Sequence, residues 1–242
     1  MYRNVSDLVE TPVGTQRPSK ALTVVQVKSV LETAKENRLH ALWTLGLILG
    51  MRPGELTGLR WEDVDFDTGI ISVSQSLKHS RGKLWQGDTK TRQSRRRFKA
   101  LPVTLSALKS HRARQAAEQL RAGEAWTDTG LVFTTEVGTP IDPANLRRAF
   151  RALIKAAAIP AKQPTEECPR PGQWHPHEMR HSAGSYMDHM GVPPKRIASI
   201  LGHDGTRTTE TVYIHGQEVI DMTGDEFETY GNQFGNQSAE GS

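Results

Sequence analysis

The first regular pattern of apolar positions runs from Val24 to Ala34, with apolar residues at every third or fourth position. Such spacing places them on one face of an α-helix. Thr23 stands just before this pattern and Gln26 follows three residues later, which is the arrangement of a capping box. The sequence therefore predicts an amphipathic helix whose first turn is capped by Thr23.

A denser apolar stretch from about Leu39 to Leu49 predicts a second helix that is buried on most sides, and Gly50 ends it. Pro53 then suits the first turn of a short helix, because its missing N–H group would have no helical partner there. Four further helices are predicted where apolar residues recur at helical spacing. They cover about 104–122, with Thr104 as the cap, 143–157, 177–190 and 195–201.

Short runs rich in β-branched and apolar residues predict the strands. Three of them follow one another at about 70–77, 84–88 and 95–101, with a turn at 80–82 between the first two. A further short strand is expected at 131–133. Because these strands do not alternate with helices, the expected fold class is α+β: a mainly α-helical domain with one small antiparallel β-sheet.

The 242-residue chain has a formal net charge of +4, but its charges are unevenly distributed. Residues 221–242 contain five acidic residues and no lysine or arginine, so residues 1–220 carry a formal charge of +9. A basic body of this kind favours a polyanionic partner, and nucleic acid is the simplest one.

Cys168 is the single cysteine, so no disulfide forms within the chain and a reducing compartment is expected. The apolar runs all fall short of the roughly 18 residues of a membrane-spanning helix, so no membrane partner is expected. The first twenty residues are polar and lack the pattern of a signal peptide, and we expect a flexible flank there.

Residues 174–215 concentrate the side chains that bear chemistry. His177 and Arg180 lie three apart and share a helix face, His203 follows a glycine that ends the next helix, and Tyr213 comes ten residues later. An arginine fork fits phosphate oxygens, and a tyrosine attacks phosphorus when a base accepts its proton. The group predicts a site directed at phosphate, although a His-x-x-Arg pair alone is more often an exposed helix face.

Arg52 lies directly before the short helix that begins at Pro53. Free backbone N–H groups at such a position favour an anion, so Arg52 is a second candidate for binding phosphate. Glu55, three residues further on, is expected to orient its guanidinium. The simpler alternative is an exposed Arg–Glu pair, which would be worth about 0–1 kcal/mol.

Residues 78–99 carry the densest positive charge of the chain, with nine lysines and arginines against Asp88 alone. A β-hairpin with this charge is suited to following a phosphate backbone. Lys90 is singled out, because an ammonium at a turn reaches into a site and gives up a proton. The alternative is that these cations are merely solvated. The other expected DNA contacts are Lys78, Arg81, Lys83, Arg92, Arg95, Arg96 and Arg97.

Five motifs occur along the chain in one order: R-P-G-E-L, a lysine in K-T-R-Q-S-R-R, H-E-M-R-H, L-G-H, and a tyrosine in T-V-Y-I-H. This order resembles that of the tyrosine recombinases, the phage-integrase type of site-specific recombinase. The resemblance covers about residues 20–220. It implies the fold of that family's catalytic domain and an enzyme that cuts and rejoins DNA through a 3′-phosphotyrosine.

The resemblance also implies a role for each matching residue. Two arginines neutralise the scissile phosphate, a histidine adds a hydrogen bond, a second histidine accepts the proton of the nucleophilic tyrosine, and a lysine protonates the leaving 5′ oxygen. No cofactor is implied, neither ATP nor a metal, because the phosphotyrosine conserves the ester bond. In the order of these roles the residues are Arg52 and Arg180, His203, His177, Tyr213 and Lys90, with Glu55 supporting Arg52.

The same residues are also compatible with three other functions. A type IB topoisomerase shares the chemistry without exchanging strands, and a DNA-binding regulator without catalysis would carry the same basic hairpin. A metal hydrolase would use a set of histidines as zinc ligands, although the His-Glu-x-x-His motif is lacking and an arginine beside them repels a cation. That set comprises His175, His177, His181, His203 and His215.

The expected organisation is a flexible flank at 1–19, a catalytic domain at 20–220, and an acidic, partly disordered tail at 221–242. The core-binding domain that usually precedes the catalytic domain in such recombinases is not recognised, so a catalytic fragment is expected. The expected partner is double-stranded DNA at attachment sites. Self-association in a tetramer is expected through 217–227, where apolar residues stand among acids. The expected location is the bacterial or phage-infected cytoplasm, at the nucleoid.

Overall fold

The structure is a computed structural model, and it describes residues 21–80, 83–88, 96–160, 174–202 and 219–222. Within these ranges the chain is mostly helical, with a small amount of sheet, as the sequence predicts. The helices are α1 (Val24–Ala34), α2 (His40–Ile48), α3 (Pro53–Gly58), α4 (Pro102–Ala122), α5 (Pro143–Ala156), α6 (His177–His189) and α7 (Pro194–Leu201). None of these described helices is long and apolar enough to cross a membrane.

Helix α1 begins as the capping box predicts. The Thr23 side chain accepts a hydrogen bond from the backbone of Gln26, and the Gln26 side chain accepts one from the Thr23 backbone. Two of the N–H groups that a helix start leaves without partners are thereby satisfied. The apolar face of α1 then buries Val27, Val30 and Ala34.

Helix α2 is the centre of the core, since every residue from Ala41 to Ile48 is buried. It packs against α1, α4 and α6, and the Trp43 ring lies 5.7 Å from that of Phe150 in α5. A helix that is apolar on all sides has no face to offer to water, so the surrounding helices must cover it. Its C-terminal end, at Gly50, is therefore fixed deep within the domain.

The start of α4 differs from the sequence-based prediction. The helix begins at Pro102, and Leu101 rather than Thr104 holds the capping position. The Thr104 hydroxyl donates a hydrogen bond of 2.7 Å to the Leu101 carbonyl, inside the first turn. Proline has a fixed φ that suits the first helical position and needs no N–H partner there, so it sets the start two residues earlier.

The strands form two sheets. In the four-stranded sheet, β1 (Val64–Asp65), β2 (Ile70–Val73), β5 (Arg96–Lys99) and β6 (Val219–Asp221) lie side by side in that order. Strands β3 (Gln75–Ser80) and β4 (Lys83–Asp88) form a separate antiparallel hairpin.

The prediction of a purely antiparallel sheet is wrong at one edge. Strand β6 pairs with β5 in parallel, with Val219 opposite Arg97 and Asp221 opposite Lys99. A parallel neighbour needs a long connection, and this one joins residues more than a hundred positions apart in the chain. Local sequence patterns give no indication of such a pairing.

The strand predicted at 131–133 is also wrong, because this segment forms only isolated bridges. Side chains of α4 take the places of strand partners. The Gln115 amide donates to the carbonyls of Leu131 and Val132 at 3.2 and 3.0 Å, and His111 Nε2 lies 2.8 Å from the Val132 carbonyl. The backbone groups are satisfied without a sheet, which removes the need for one.

Helix α3 lies directly on the backbone of β3. A Cβ atom at Gly58 would stand 2.7 Å from the Leu77 nitrogen, and one at Gly54 would stand 2.6 Å from the Ser76 hydroxyl. Only glycine allows the helix and the strand to approach so closely. This contact fixes the short helix, and with it the residue just before it, against the basic hairpin.

Candidate active site

Arg52 occupies the position just before α3, as the sequence predicts. Its Nη1 donates to Glu55 Oε1 at 2.9 Å, and its Nη2 donates to the Gly202 carbonyl at 2.8 Å. The side chain remains 31% exposed. A guanidinium has five N–H donors, so three of those of Arg52 have no partner among the described residues. The guanidinium of Arg52 is therefore fixed in position by two hydrogen bonds and still has N–H groups that can donate to a ligand.

Glu55 is the buried counterion of this group, with its side chain only 2% exposed. Its carboxylate accepts four hydrogen bonds: from the backbone and Nη1 of Arg52, at 2.8 and 2.9 Å, and from Nη1 and Nη2 of Arg96, at 3.0 and 2.7 Å. Burial by itself would raise the pKa of Glu55. The hydrogen bonds and charge of Arg96, and after them the bonds from Arg52, reverse this effect and lower its pKa. Glu55 is therefore an anion at neutral pH.

Arg96 is placed differently from the expectation of a DNA contact. Its side chain is 3% exposed and faces inward from β5, beside Phe98, whose ring centroid lies 5.4 Å from its Cζ. Both ends of its fork bind Glu55. The sequence contained one signal for this arrangement: Arg96 and Phe98 share one face of an alternating strand, whereas Arg97 and Lys99 share the other.

Arg180 projects from α6 into the interior and is 6% exposed. It donates to the Gly50 carbonyl at 2.9 Å and, in a short contact, to the Leu201 carbonyl. Burial, and after it the positive charges of Arg52 and Arg96, lower the pKa of Arg180 to about 9. It therefore remains a cation at neutral pH.

The two arginines meet at the C-terminal end of α7. Arg180 binds the carbonyl of Leu201 and Arg52 binds that of Gly202, which is the next residue. Gly202 adopts a left-handed conformation, with φ of +60°, and its own N–H closes the helix. Backbone carbonyls at the ends of α2 and α7 thus hold two guanidiniums side by side. Arg180, from the first turn of α6, binds both ends, and Arg52 binds the end of α7.

His177 is the first residue of α6, and its side chain is exposed. Its ring stacks on that of His175 at 5.8 Å, and it lies one helical turn from Arg180. Partial desolvation, followed by the charges of His181, Arg180 and Arg52, lowers the pKa of His177 below its ordinary value of 6.5. It is therefore neutral at physiological pH, which is the form that accepts a proton.

Tyr186 lies nine residues after His177 in α6, about two and a half turns further along, and is 2% exposed. Burial raises its pKa above the ordinary value of 10.0, which makes its hydroxyl harder to deprotonate. Tyr186 belongs to the hydrophobic core, where it is a packing residue.

Several of the sequence-predicted residues lie outside the described part of the chain. They are Lys90, His203, Tyr213, Arg81, Arg92 and Arg95. Lys83 lies in β4, but its side chain is not described. Lys78 in β3 and Arg97 in β5 are described and are both partly exposed.

The histidine set is described only in part, because His203 and His215 lie outside these ranges. Within residues 21–80, 83–88, 96–160, 174–202 and 219–222, no group of three or more histidine, cysteine, aspartate or glutamate side chains is arranged to hold a metal ion.

Strand β6 closes the sheet beside the buried arginine. The Lys99 ammonium lies 3.7 Å from the Asp221 carboxylate, Arg196 of α7 donates to the Asp221 carbonyl at 3.0 Å, and Met222 is fully buried. The first part of the segment expected to bind a neighbouring protomer therefore packs within its own chain.

Solved structures share this fold. The Tn1549 transposon integrase in complex with transposon right-end DNA aligns with a TM-score of 0.64 at 22% identity, covering 84% of this chain and 63% of that one. The XerA recombinase aligns with a TM-score of 0.54 at 23% identity, covering 83% and 63%. At these identities the likeness concerns the fold alone.

Sequence relatives are more similar. An integrase of Streptomyces ambofaciens is 40% identical over 224 residues, covering 87% of this chain and 53% of that protein. A protein described as XerC-like tyrosine recombinase, from Caldanaerobacter subterraneus subsp. tengcongensis, is 31% identical over 202 residues, covering 78% and 49%. The chain thus spans about half the length of these curated relatives.

The sequence model of the phage integrase family agrees with both comparisons. It matches residues 20–219, which include every described element except the last residues of β6. The chain therefore belongs to the phage integrase family, the tyrosine recombinases.

Proposed function

We propose that this chain is the catalytic domain of a site-specific DNA recombinase, which cuts and rejoins double-stranded DNA at attachment sites through a 3′-phosphotyrosine. Family membership and the basic charge of residues 1–220 support a DNA substrate. One similar fold, the Tn1549 integrase, is described in complex with transposon DNA.

The observation that carries the proposal is the pair of guanidiniums held at the end of α7. Arg52 and Arg180 each use two contacts to backbone or carboxylate groups, which fixes them, and each keeps further N–H donors without a partner among the described residues. Preorganised cations of this kind stabilise the charge that grows on the non-bridging oxygens when phosphorus is attacked.

The nucleophile is Tyr213, whose hydroxyl forms a bond to phosphorus while the bond from phosphorus to the 5′ oxygen breaks. His177, neutral at physiological pH, accepts the tyrosine proton or orients the group that does. Lys90 gives its proton to the departing 5′ oxygen. Rejoining runs the same steps in reverse, with a 5′ hydroxyl of the partner strand as the attacking group.

His203 is proposed as a hydrogen-bond donor to the same phosphate. It directly follows Gly202, whose carbonyl binds Arg52. Its adjacency in the chain to a residue that binds Arg52 is what supports this proposal.

The test is a nicked suicide substrate, in which the small fragment released by cleavage diffuses away and the covalent adduct accumulates. Wild-type protein should form a protein–DNA adduct that survives denaturing gel electrophoresis, and Tyr213→Phe should form none. Tyr186→Phe is the matched control, since that buried tyrosine should not be needed. Adduct formation that depends on Tyr186 and not on Tyr213 would refute the assignment of the nucleophile.

Two further assays with the same protein distinguish the recombinase from the alternative functions. A recombinase exchanges strands between two labelled sites, whereas a topoisomerase relaxes a supercoiled plasmid and leaves the sites unexchanged. A regulator without catalysis binds the DNA and forms no adduct at all.

Self-association on DNA is proposed through the C-terminal segment, in a tetramer that brings two sites together. Because β6 and Met222 pack within their own chain, the residues after Met222 are the ones proposed to reach a neighbouring protomer. A chain ending at Met222 should still bind a single site but should no longer bring two sites together. Pairing of sites by the shortened chain would remove this role.

The basic hairpin is proposed to bind the phosphate backbone around the site. Lys78 of this hairpin and Arg97 of the neighbouring strand β5 are described and partly exposed, and the proposal extends to Arg81, Lys83, Arg92 and Arg95. With chromosomal or phage DNA as its substrate, the protein would work at the bacterial nucleoid.

A further inference from the structure

Arg96 is a buried cation that the proposed reaction does not use directly. It lies at the start of β5, is 3% exposed, and uses both ends of its fork on the two oxygens of Glu55. Buried charges of this kind persist where a partner neutralises them in good geometry. Glu55, however, already has a partner in Arg52.

The Glu55 carboxylate is therefore divided between two guanidiniums. Oε1 accepts from Arg52 Nη1 and Arg96 Nη1, and Oε2 accepts from the Arg52 backbone and Arg96 Nη2. Arg96 makes the shorter of the two side-chain pairs, 2.7 against 2.9 Å, and makes it in the more buried place.

Taken alone, Arg52 and Glu55 would form a neutral pair, and a neutral pair attracts a phosphate weakly. With Arg96 present, three guanidiniums including Arg180 surround one carboxylate, so the group keeps two net positive charges. Arg96, which completes this net charge, comes from strand β5. Arg52 directly precedes α3, and Arg180 lies in α6.

We infer that Arg96 is a positioning residue for the cleavage reaction: by binding Glu55 from behind, it holds that carboxylate in place and leaves the positive charge of Arg52 available to the scissile phosphate. This inference rests on the proposed function. It replaces the expected role of Arg96 as a DNA contact, because a side chain that is 3% exposed and packed against Glu55 and Phe98 does not reach the protein surface.

The first measurement separates binding from cleavage. Arg96→Gln removes the charge and keeps a hydrogen-bond donor, and Arg96→Lys keeps the charge without the fork. Neither variant loses a direct contact to a DNA phosphate, so both should keep the salt dependence of wild-type DNA binding. At saturating DNA, Arg96→Gln should form the covalent adduct roughly ten- to a hundredfold more slowly, by analogy with the loss caused when an outer-shell partner of a metal ligand is removed. Arg96→Lys should fall between the two.

A direct phosphate contact predicts the reverse pattern. Its loss would weaken DNA binding and reduce the salt slope by about one unit, with little effect at saturation. That result would overturn the inference. Arg114→Met is the matched control for losing a guanidinium, since Arg114 donates to the Asn37 carbonyl in the loop between α1 and α2 and should leave both measurements unchanged.

The second measurement tests charge against structure. In a substrate whose scissile phosphate is replaced by a methylphosphonate, one non-bridging oxygen and its negative charge are absent, so less positive charge is needed. The slowing caused by Arg96→Gln should shrink several-fold on this substrate. A role that is merely structural slows both substrates equally, and equal slowing would overturn the inference.

Circular dichroism and thermal unfolding show whether Arg96→Gln is folded at the assay temperature. If it is not, both substrates are compared at a lower temperature at which Arg96→Gln is folded, and the same ratio of the two slowings is expected. The inference and the proposed function fail in different ways. Without any adduct from the wild type the function is wrong, whereas a normal adduct rate in the Arg96 variants refutes only the role of Arg96.

Discussion

Replacing Glu55 by glutamine gives a sharp test of the buried charge cluster. The two side chains have nearly the same shape, but the glutamine amide nitrogen is a donor where each carboxylate oxygen now accepts two hydrogen bonds. Whichever way the amide turns, two N–H groups would face its nitrogen, because Oε1 and Oε2 each accept one bond from Arg52 and one from Arg96.

The magnitude follows from these contacts. Two hydrogen bonds to a charged group are lost, each worth about 1.5–3 kcal/mol. Arg96, 3% exposed, is left without a neutralising charge, and removing one partner of a buried ion pair costs about 3–5 kcal/mol. The first route gives a loss of about 3–6 kcal/mol in the free energy of unfolding at neutral pH and the second about 3–5 kcal/mol. Either value is a large part of the stability of a typical domain.

Urea denaturation followed by circular dichroism measures this loss. Glu62→Gln is the control, because Glu62 is 66% exposed and its pair with Arg60 should be worth about 0–1 kcal/mol. A loss at Glu55 no larger than that at Glu62 would refute the account of a buried, shared carboxylate.

The pH dependence provides a second check on the same variant. Because the folded chain lowers the pKa of Glu55 below its ordinary 4.5, the stability that this group contributes is fully present above pH 4.5. It is lost as the pH falls through the folded value, where the protonated acid comes to resemble glutamine. The difference between wild type and Glu55→Gln should therefore be constant from pH 7 to about 4.5 and shrink below it; a constant difference at all pH values would contradict the assignment.

Two further predictions concern the glycine at the end of α2 and the proposed general base, His177. Gly50→Ala should destabilise the domain by about 1–3 kcal/mol more than Gly191→Ala in thermal unfolding. Both glycines have positive φ, but a Cβ at Gly50 would stand 2.4 Å from Leu201, whereas no atom of the described residues lies within 4 Å of a Cβ at Gly191. Equal losses would show that backbone strain alone is responsible. The rate of adduct formation should fall with acid only below pH 6.5, as His177 with its lowered pKa becomes protonated, and His177→Gln should lose this acid limb. An acid limb above pH 6.5 would exclude His177 as the base.

The local elements were predictable because short-range patterns specify them. The capping box at Thr23 fixes the start of α1, and the glycine at position 50 and the proline at position 53 fix the corner between α2 and α3. Where the local signal was ambiguous, prediction failed: Thr104 resembled a cap, but Pro102 starts the helix. The segment 131–133 resembled a strand, but side chains of α4 satisfy its backbone.

The candidate site, like the fold, could be predicted from the sequence only in part. The order of the motifs indicated Arg52, Glu55, His177 and Arg180 as candidates, and the structure brings the two arginines and Glu55 together. It was not enough to place Arg96 correctly, because an arginine within a basic run gives no local sign of the carboxylate it binds 41 positions earlier in the chain.

The sequence by itself determined the helices, the family and the chemical groups available for the reaction, since spacing and residue type act over a few neighbouring positions. Only the tertiary structure decided which charges share a carboxylate, that β6 joins the sheet in parallel, and that the ends of α2 and α7 hold two guanidiniums side by side. Such choices depend on burial and on partners distant along the chain. The energy of a buried charge depends on the side chains packed around it. Which side chains those are cannot be read from the order of residues in the sequence.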